Sequence, residues 1–147
     1  MGWINIFGMI IVVLMLLPNI LYAFKNKTIE NKCRNKTMNM IEQIGRYGSM
    51  FFMAFHIGIY ELGFRSNLNF VIWLITTIIL ILLYWLIWFF YFLSPQSLAA
   101  MLLAIIPSII FISSGYFARH WLLLISGVIF SVGHIYATHQ NNVKYEL

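Results

Sequence analysis

Four ionisable side chains, Glu42, Arg46, His56 and His134, stand in strongly apolar surroundings in this 147-residue chain. A carboxylate, guanidinium or imidazole in hydrocarbon is costly unless it is paired, so such residues mark bundle interiors, ion paths or proton relays. Histidine adds titration near neutral pH. Glu42, Arg46, Ser49, Met53, His56 and Tyr60 follow one another at spacings of 4, 3, 4, 3 and 4. On a helix they would share one face about 80° wide. His120, Leu124, Gly127, Ser131, His134 and Thr138 repeat that spacing, and Asn5, Gly8, Val12, Met15, Asn19 and Tyr22 form a looser third stripe.

Three helices with a small or polar face predict a seam between the first, second and fifth helices. His56, His134, Ser49, Ser131, Tyr60 and Asn19 are the expected polar or protonatable stations along it, with Glu42 and Arg46 at a cytoplasmic mouth. Plainer chemistry accounts for the same residues. Small and hydroxylated side chains at helix interfaces allow close backbone approach and interhelical hydrogen bonds, and Gly133 with Ala137 is such a small pair. Glu42 and Arg46 suit an i,i+4 ion pair near the membrane interface. Each histidine can donate to a neighbouring carbonyl.

No cofactor is expected. On a second helix ending at Tyr60, His56 lies about 6 Å from the outer end, whereas His134 lies about 21 Å from the outer end of the fifth. Two axial ligands of one haem must share a level, so haem would need unusual tilt or another ligand. His56 and His120 are nearer in depth. The sequence has no Asp, no His-Glu-x-x-His, no phosphate loop and no Cys-x-x-Cys. Its single Cys33 rules out a zinc site built on several cysteines and an internal disulfide. Ser131 and His134 could touch on one helix face, but no oxyanion donors accompany them.

The elements that must position these residues follow from composition. The chain is 62% hydrophobic and 9% charged, against about 45–50% and about 25% in soluble domains. The expected fold is all-α, a polytopic helical membrane protein with five transmembrane helices in a single domain, 1–147. The helices are expected at about 3–24, 41–60, 69–93, 98–117 and 120–138, with a basic cytoplasmic loop at 25–40. The first apolar run has no basic n-region and no cleavage site, so it is expected to stay as a helix. The third is almost uniformly apolar and is expected to face lipid. Ser94-Pro95-Gln96-Ser97 predicts a tight turn and an antiparallel pair. Pro18-Asn19 and Pro107-Ser108 predict bends in which the neighbouring Asn or Ser satisfies the carbonyl freed by proline.

Basic residues set the expected orientation. Lys25, Lys27, Lys32, Arg34, Lys36, Arg46 and Lys144 fall on one side, Arg65 and Arg119 on the other. This places the amino terminus outside and the carboxyl terminus in the cytoplasm. Residues with AT-rich codons are frequent, which suggests a bacterial plasma membrane. Clustered basic residues then serve topology and lipid headgroups, and no nucleic acid is expected as partner. Asn26-Lys27-Thr28 and Asn35-Lys36-Thr37 match the glycosylation pattern, but on the cytoplasmic side of a bacterial protein they are discounted.

Glu42-Gln43-Ile44-Gly45-Arg46-Tyr47-Gly48 before an aromatic-rich helix, with Gly133-His134-Ile135-Tyr136 in the last one, resembles small uncharacterised five-helix membrane proteins of low-GC Gram-positive bacteria. That resemblance implies architecture and no activity. Three functions remain open from the sequence. The first is handling of a small solute, ion or proton along the seam. The second is a non-catalytic accessory protein whose stripes bind a membrane partner or a second copy, and the third is a lipid-modifying enzyme.

Overall fold

The structure, a computed structural model, describes residues 3–26 and 35–143. Lys27, Lys32, Cys33, Arg34, Lys144 and most of the first glycosylation-like triplet lie outside the described residues. Within them are five helices: α1 (Ile6–Lys25), α2 (Lys36–Ala54), α3 (Asn67–Leu93), α4 (Ser97–Phe117) and α5 (Trp121–Val143). All but α4 begin with a side chain that accepts the N–H three residues on, the standard remedy for orphan donors at a helix start. Asn5 accepts from Gly8 at 3.0 Å, Asn35 from Met38 at 3.2 Å and Ser66 from Asn69 at 3.2 Å. His120 does the same for Leu123 at 3.1 Å. At α4, Pro95 and Gln96 supply the entry, and α3 and α4 form the antiparallel pair expected of that turn.

Around the bundle the helices run α1, α2, α5, α4, α3 and back to α1. Close contacts fix the order. At Gly45 an added methyl would overlap the backbone of Phe130, and at Gly133 it would meet the backbone of Glu42, so α2 and α5 cross almost backbone to backbone. Gly115 lies as tightly against Leu124, joining α4 to α5, and Gly8 lies against the Met53 carbonyl, joining α1 to α2. Trp73 Nε1 donates to Ser114 Oγ at 2.9 Å between α3 and α4. The α1–α3 joint uses a defect. Pro18 has no N–H to give the carbonyl of Leu14, and Trp85 Nε1 of α3 donates to that oxygen at 3.0 Å instead. Asn19, expected to do this, bonds the Met15 carbonyl and Tyr84 Oη.

The helix boundaries differ most at α2. It starts at Lys36, not 41, because Asn35 caps it and a first turn needs no apolar residues. It ends at Ala54, not Tyr60, because the chain turns extended at Phe55 and pairs with Ile4. Asn5 N–H donates to the Ala54 carbonyl at 2.8 Å and His56 N–H to the Trp3 carbonyl at 3.0 Å. Gly58 and Gly63 then take left-handed backbone angles in the connection to α3. The shift exchanges apolar 55–60 for polar 36–39. Four helices, α1, α3, α4 and α5, are therefore long and apolar enough to cross a membrane, and α2 falls outside that set. At the other end α5 runs to Val143 through His139-Gln140-Asn141-Asn142, well past the expected 138.

Both α2 and α3 bury one face and expose the other. On α2, Glu42, Gly45, Ser49 and Met53 are buried, while Met40, Ile44, Tyr47 and Phe51 are exposed. The most uniformly apolar helix, α3, buries one face, Trp73, Thr77, Ile81, Tyr84 and Trp88, and exposes Ile75, Ile79, Leu82 and Phe89 among others.

Because Gly133 has no room for a side chain, Gly133→Leu should force α2 and α5 apart at a cost of about 1–3 kcal/mol or more. Gly48→Ala, which would meet only side chains, those of Ser126 and Phe52, should cost far less. Reversible unfolding of the purified protein in mixed micelles would rank the two.

Candidate functional site

Five helices in a ring leave space along the axis that side chains must fill, and here they do not fill it. A cavity of about 110 Å³ remains, with walls drawn from all five helices. Most of its lining is apolar, including Met15, Pro107 and Phe111, but Asn19, Arg46, Tyr84 and His134 also reach it. That volume holds a cluster of waters or one small solute. Asn19, itself exposed, stands at its mouth and donates to Tyr84 Oη at 2.7 Å.

Arg46 and His134, both in the wall, share a third residue behind it, Glu42. Glu42 lies one and a half turns into α2, about 9 Å from its start. The α2–α5 glycine crossing brings Gly133 against its backbone and so sets His134 beside its carboxylate. His134 Nδ1 lies 3.1 Å from Glu42 Oε1, and Arg46 Nη2 donates to the same oxygen. The imidazole also stacks on Phe130, with ring centres 4.7 Å apart and planes 19° from parallel. Glu42 is buried, yet its charge is met by a guanidinium and an imidazole, the condition under which a carboxylate can stay in a low-dielectric interior.

The expected stations divide. Asn19, Arg46 and His134 share the cavity, and the mouth residue Glu42 joins His134 directly. Ser49 is on the same inward face, with its hydroxyl buried and without a hydrogen-bond partner among the described residues. Ser131 is half-buried and forms no hydrogen bond with His134. His56 and Tyr60 belong elsewhere, because α2 ends before them. Tyr60 is 69% exposed in a left-handed backbone conformation. Tyr84, a cavity residue on α3, was not among the expected stations.

His56 has a second partner set at the far end of the bundle. There residues 3–5, the 55–66 connection and the α4–α5 turn are stitched by two bridges, Ile4 with Phe55 and Glu61 with His120. Glu61 lies between two imidazoles: its Oε1 contacts His56 Nδ1, and its Oε2 is 3.7 Å from His120 Nε2. On a helix, residues five apart point about 140° away from each other, so a helical reading of this stretch hides the His56–Glu61 pair. His120 is almost wholly buried, and its Nδ1 accepts the Leu123 N–H, which leaves the ring proton on Nε2, facing Glu61. His56 and His134 thus sit in different clusters. Among the described residues no group of three or more His, Cys, Asp or Glu is placed to hold a metal ion.

Comparison with known protein families, curated proteins and solved structures finds no match. The geometry of the two clusters is therefore the ground for any functional reading.

Burial holds the His120 imidazole below its usual pKa, outweighing the upward pull of Glu61. The unfolded chain takes up this proton near pH 6.5 and the folded one only at lower pH. The stability His120 contributes should thus be complete above about pH 6.5 and drain away as pH falls through its lowered native value. His120→Asn, which keeps a capping side chain, should flatten the acid limb of a melting-temperature-against-pH profile; an unaltered limb would exclude His120 as its source.

Proposed function

We propose that this protein is an integral membrane protein of the bacterial plasma membrane that handles a small solute, ion or proton through the cavity at its axis. The Glu42–His134 pair is its protonatable station. The observation that carries this reading is the buried Glu42 carboxylate, shared by Arg46 and His134 at the wall of a cavity inside an apolar bundle. Structural ion pairs between helices are ordinarily sealed in packing, whereas here both partners of the carboxylate also line open space.

Membrane insertion is supported by four long apolar helices and by α2, which buries Glu42 and Ser49 while Met40, Ile44, Tyr47 and Phe51 are exposed. A water-exposed helix would carry the opposite arrangement. Read as a fifth buried span, its 19 residues reach about 28 Å. The excess of basic residues beside the α1 end and the α2 start favours that side as cytoplasmic, with the amino terminus outside.

The cavity's chemistry suits a ligand rich in hydrogen-bond acceptors. Arg46 and the Asn19 amide are donors, Tyr84 has a hydroxyl, and His134 can donate or accept according to its protonation. Uptake of a proton by His134 would strengthen its bond to Glu42 and weaken the claim of Arg46 on that oxygen, releasing the guanidinium toward the cavity. Proton and solute would then bind interdependently.

Protein reconstituted in liposomes under an imposed pH gradient should show proton-linked flux, measured with an internal pH dye and a panel of small anions and polar solutes. His134→Ala should reduce it at least tenfold with the bundle still folded by size-exclusion profile and helical content. Glu42→Gln should lose the pH dependence. Flux that survives both substitutions would refute the assignment, and a stable oligomer without flux would favour the accessory-protein alternative.

A further inference from the structure

At the opposite end of the bundle from the α2 start lies another hollow, of about 340 Å³, whose lining includes Arg65, Asn69, Tyr116, Arg119, Trp121 and Leu124. Two guanidinium groups line it and no carboxylate does. It opens where α3 and α5 begin, so the positive ends of two helix dipoles add to those charges.

The two arginines are held differently. Arg119 donates from Nε to the Gly63 carbonyl at 3.0 Å and from Nη2 to the Leu62 carbonyl at 3.2 Å. These bonds fix the plane of its guanidinium and leave the remaining N–H donors uncommitted. Its backbone is left-handed, with φ 48°, a conformation costly for a residue with a side chain. Arg65 has no hydrogen bond or ion pair among the described residues. A cation without a partner, beside a preoriented one in the same hollow, is an arrangement short of an anion.

We propose that this hollow binds a phosphate group, with Arg65 and Arg119 as its clamp. Guanidinium groups match phosphate oxygens in pairs of parallel hydrogen bonds, and the Asn69 amide and Tyr116 hydroxyl supply further donors. Trp121 and Leu124 give one apolar wall for the body of the ligand. The phosphate can come from a phospholipid headgroup or from a soluble phosphorylated compound. The exposed Tyr116 and Trp121 rings at the helix ends correspond to the aromatic belt at headgroup level, which favours the lipid.

The full chain, purified in a neutral detergent, is titrated with short-chain phosphatidylglycerol and separately with inorganic phosphate. Binding is read by native mass spectrometry for the lipid and by calorimetry for both. Wild-type protein should bind at least one probe, more weakly as salt rises. Arg65→Gln should bind it about tenfold more weakly. Because Arg65 holds nothing else in place, that variant should stay folded even if Arg119→Gln releases the 62–63 segment. Phosphatidylglycerol binding that millimolar phosphate does not displace identifies the headgroup, and displacement by phosphate identifies the soluble ligand. No binding of either probe, or equal binding by wild type and Arg65→Gln, overturns the proposal. These readouts are independent of the Glu42–His134 assignment, which concerns flux through a different part of the bundle.

Discussion

Two glycines carry the architecture. Gly45 and Gly133 let α2 and α5 touch backbone to backbone, the close approach that small residues at a helix interface permit. The same crossing fixes the chemistry. Glu42 abuts Gly133, so the next residue, His134, has little choice but to meet its carboxylate. An alanine-based interface would separate the two helices and take the imidazole out of reach. Packing and site are therefore one constraint seen from two sides, and α4 joins the arrangement through Gly115.

The ring order follows. With α5 pressed between α2 and α4, and α1 reaching α2 through Gly8, α3 closes the circle with its row of large side chains. Bulky residues such as Trp73 and Trp88 fill the ring at some levels. Near Pro107 and Tyr84 they do not, and the axis stays open there. Polar groups collect at that level because each finds a partner: Asn19 with Tyr84, Glu42 with Arg46 and His134. The far end has another logic. It is closed by short extended pairings and by Arg119, which draws the 62–63 carbonyls onto the α4–α5 turn.

Much of this was legible in the residues. Five helical segments could be read from apolar runs and from Pro95, and the inward face from Glu42 to Met53 follows from its 4-3-4 spacing. The spacing then misled, because His56 and Tyr60 continue it by coincidence after the helix has stopped. Gly58 and Gly63 were the available signals of that stop. Glu61 escaped notice for the same reason, although it is one of only four acidic residues. Tyr84 was hidden in the most apolar helix. Thr77 lies seven residues earlier on the same buried face, but its neighbour Thr76 is exposed, so the Thr76-Thr77 pair did not reveal which side of α3 faces in. The Glu42–His134 contact joins residues 92 apart, and no local pattern encodes a pair that depends on which helices become neighbours.

Pro18 and Trp85 make a bargain of another kind. A proline in a helix leaves one carbonyl without its usual donor, and an indole N–H likewise needs an acceptor. Joined at 3.0 Å, each cancels the other's deficit. Replacing either residue alone undoes the pair: replacing Trp85 strands the Leu14 oxygen, and replacing Pro18 gives that oxygen back to its own helix and strands the indole. What looks like a flaw in α1 is a lock with two keys, and it ties two helices together through an oxygen and an indole nitrogen that are 71 residues apart along the chain.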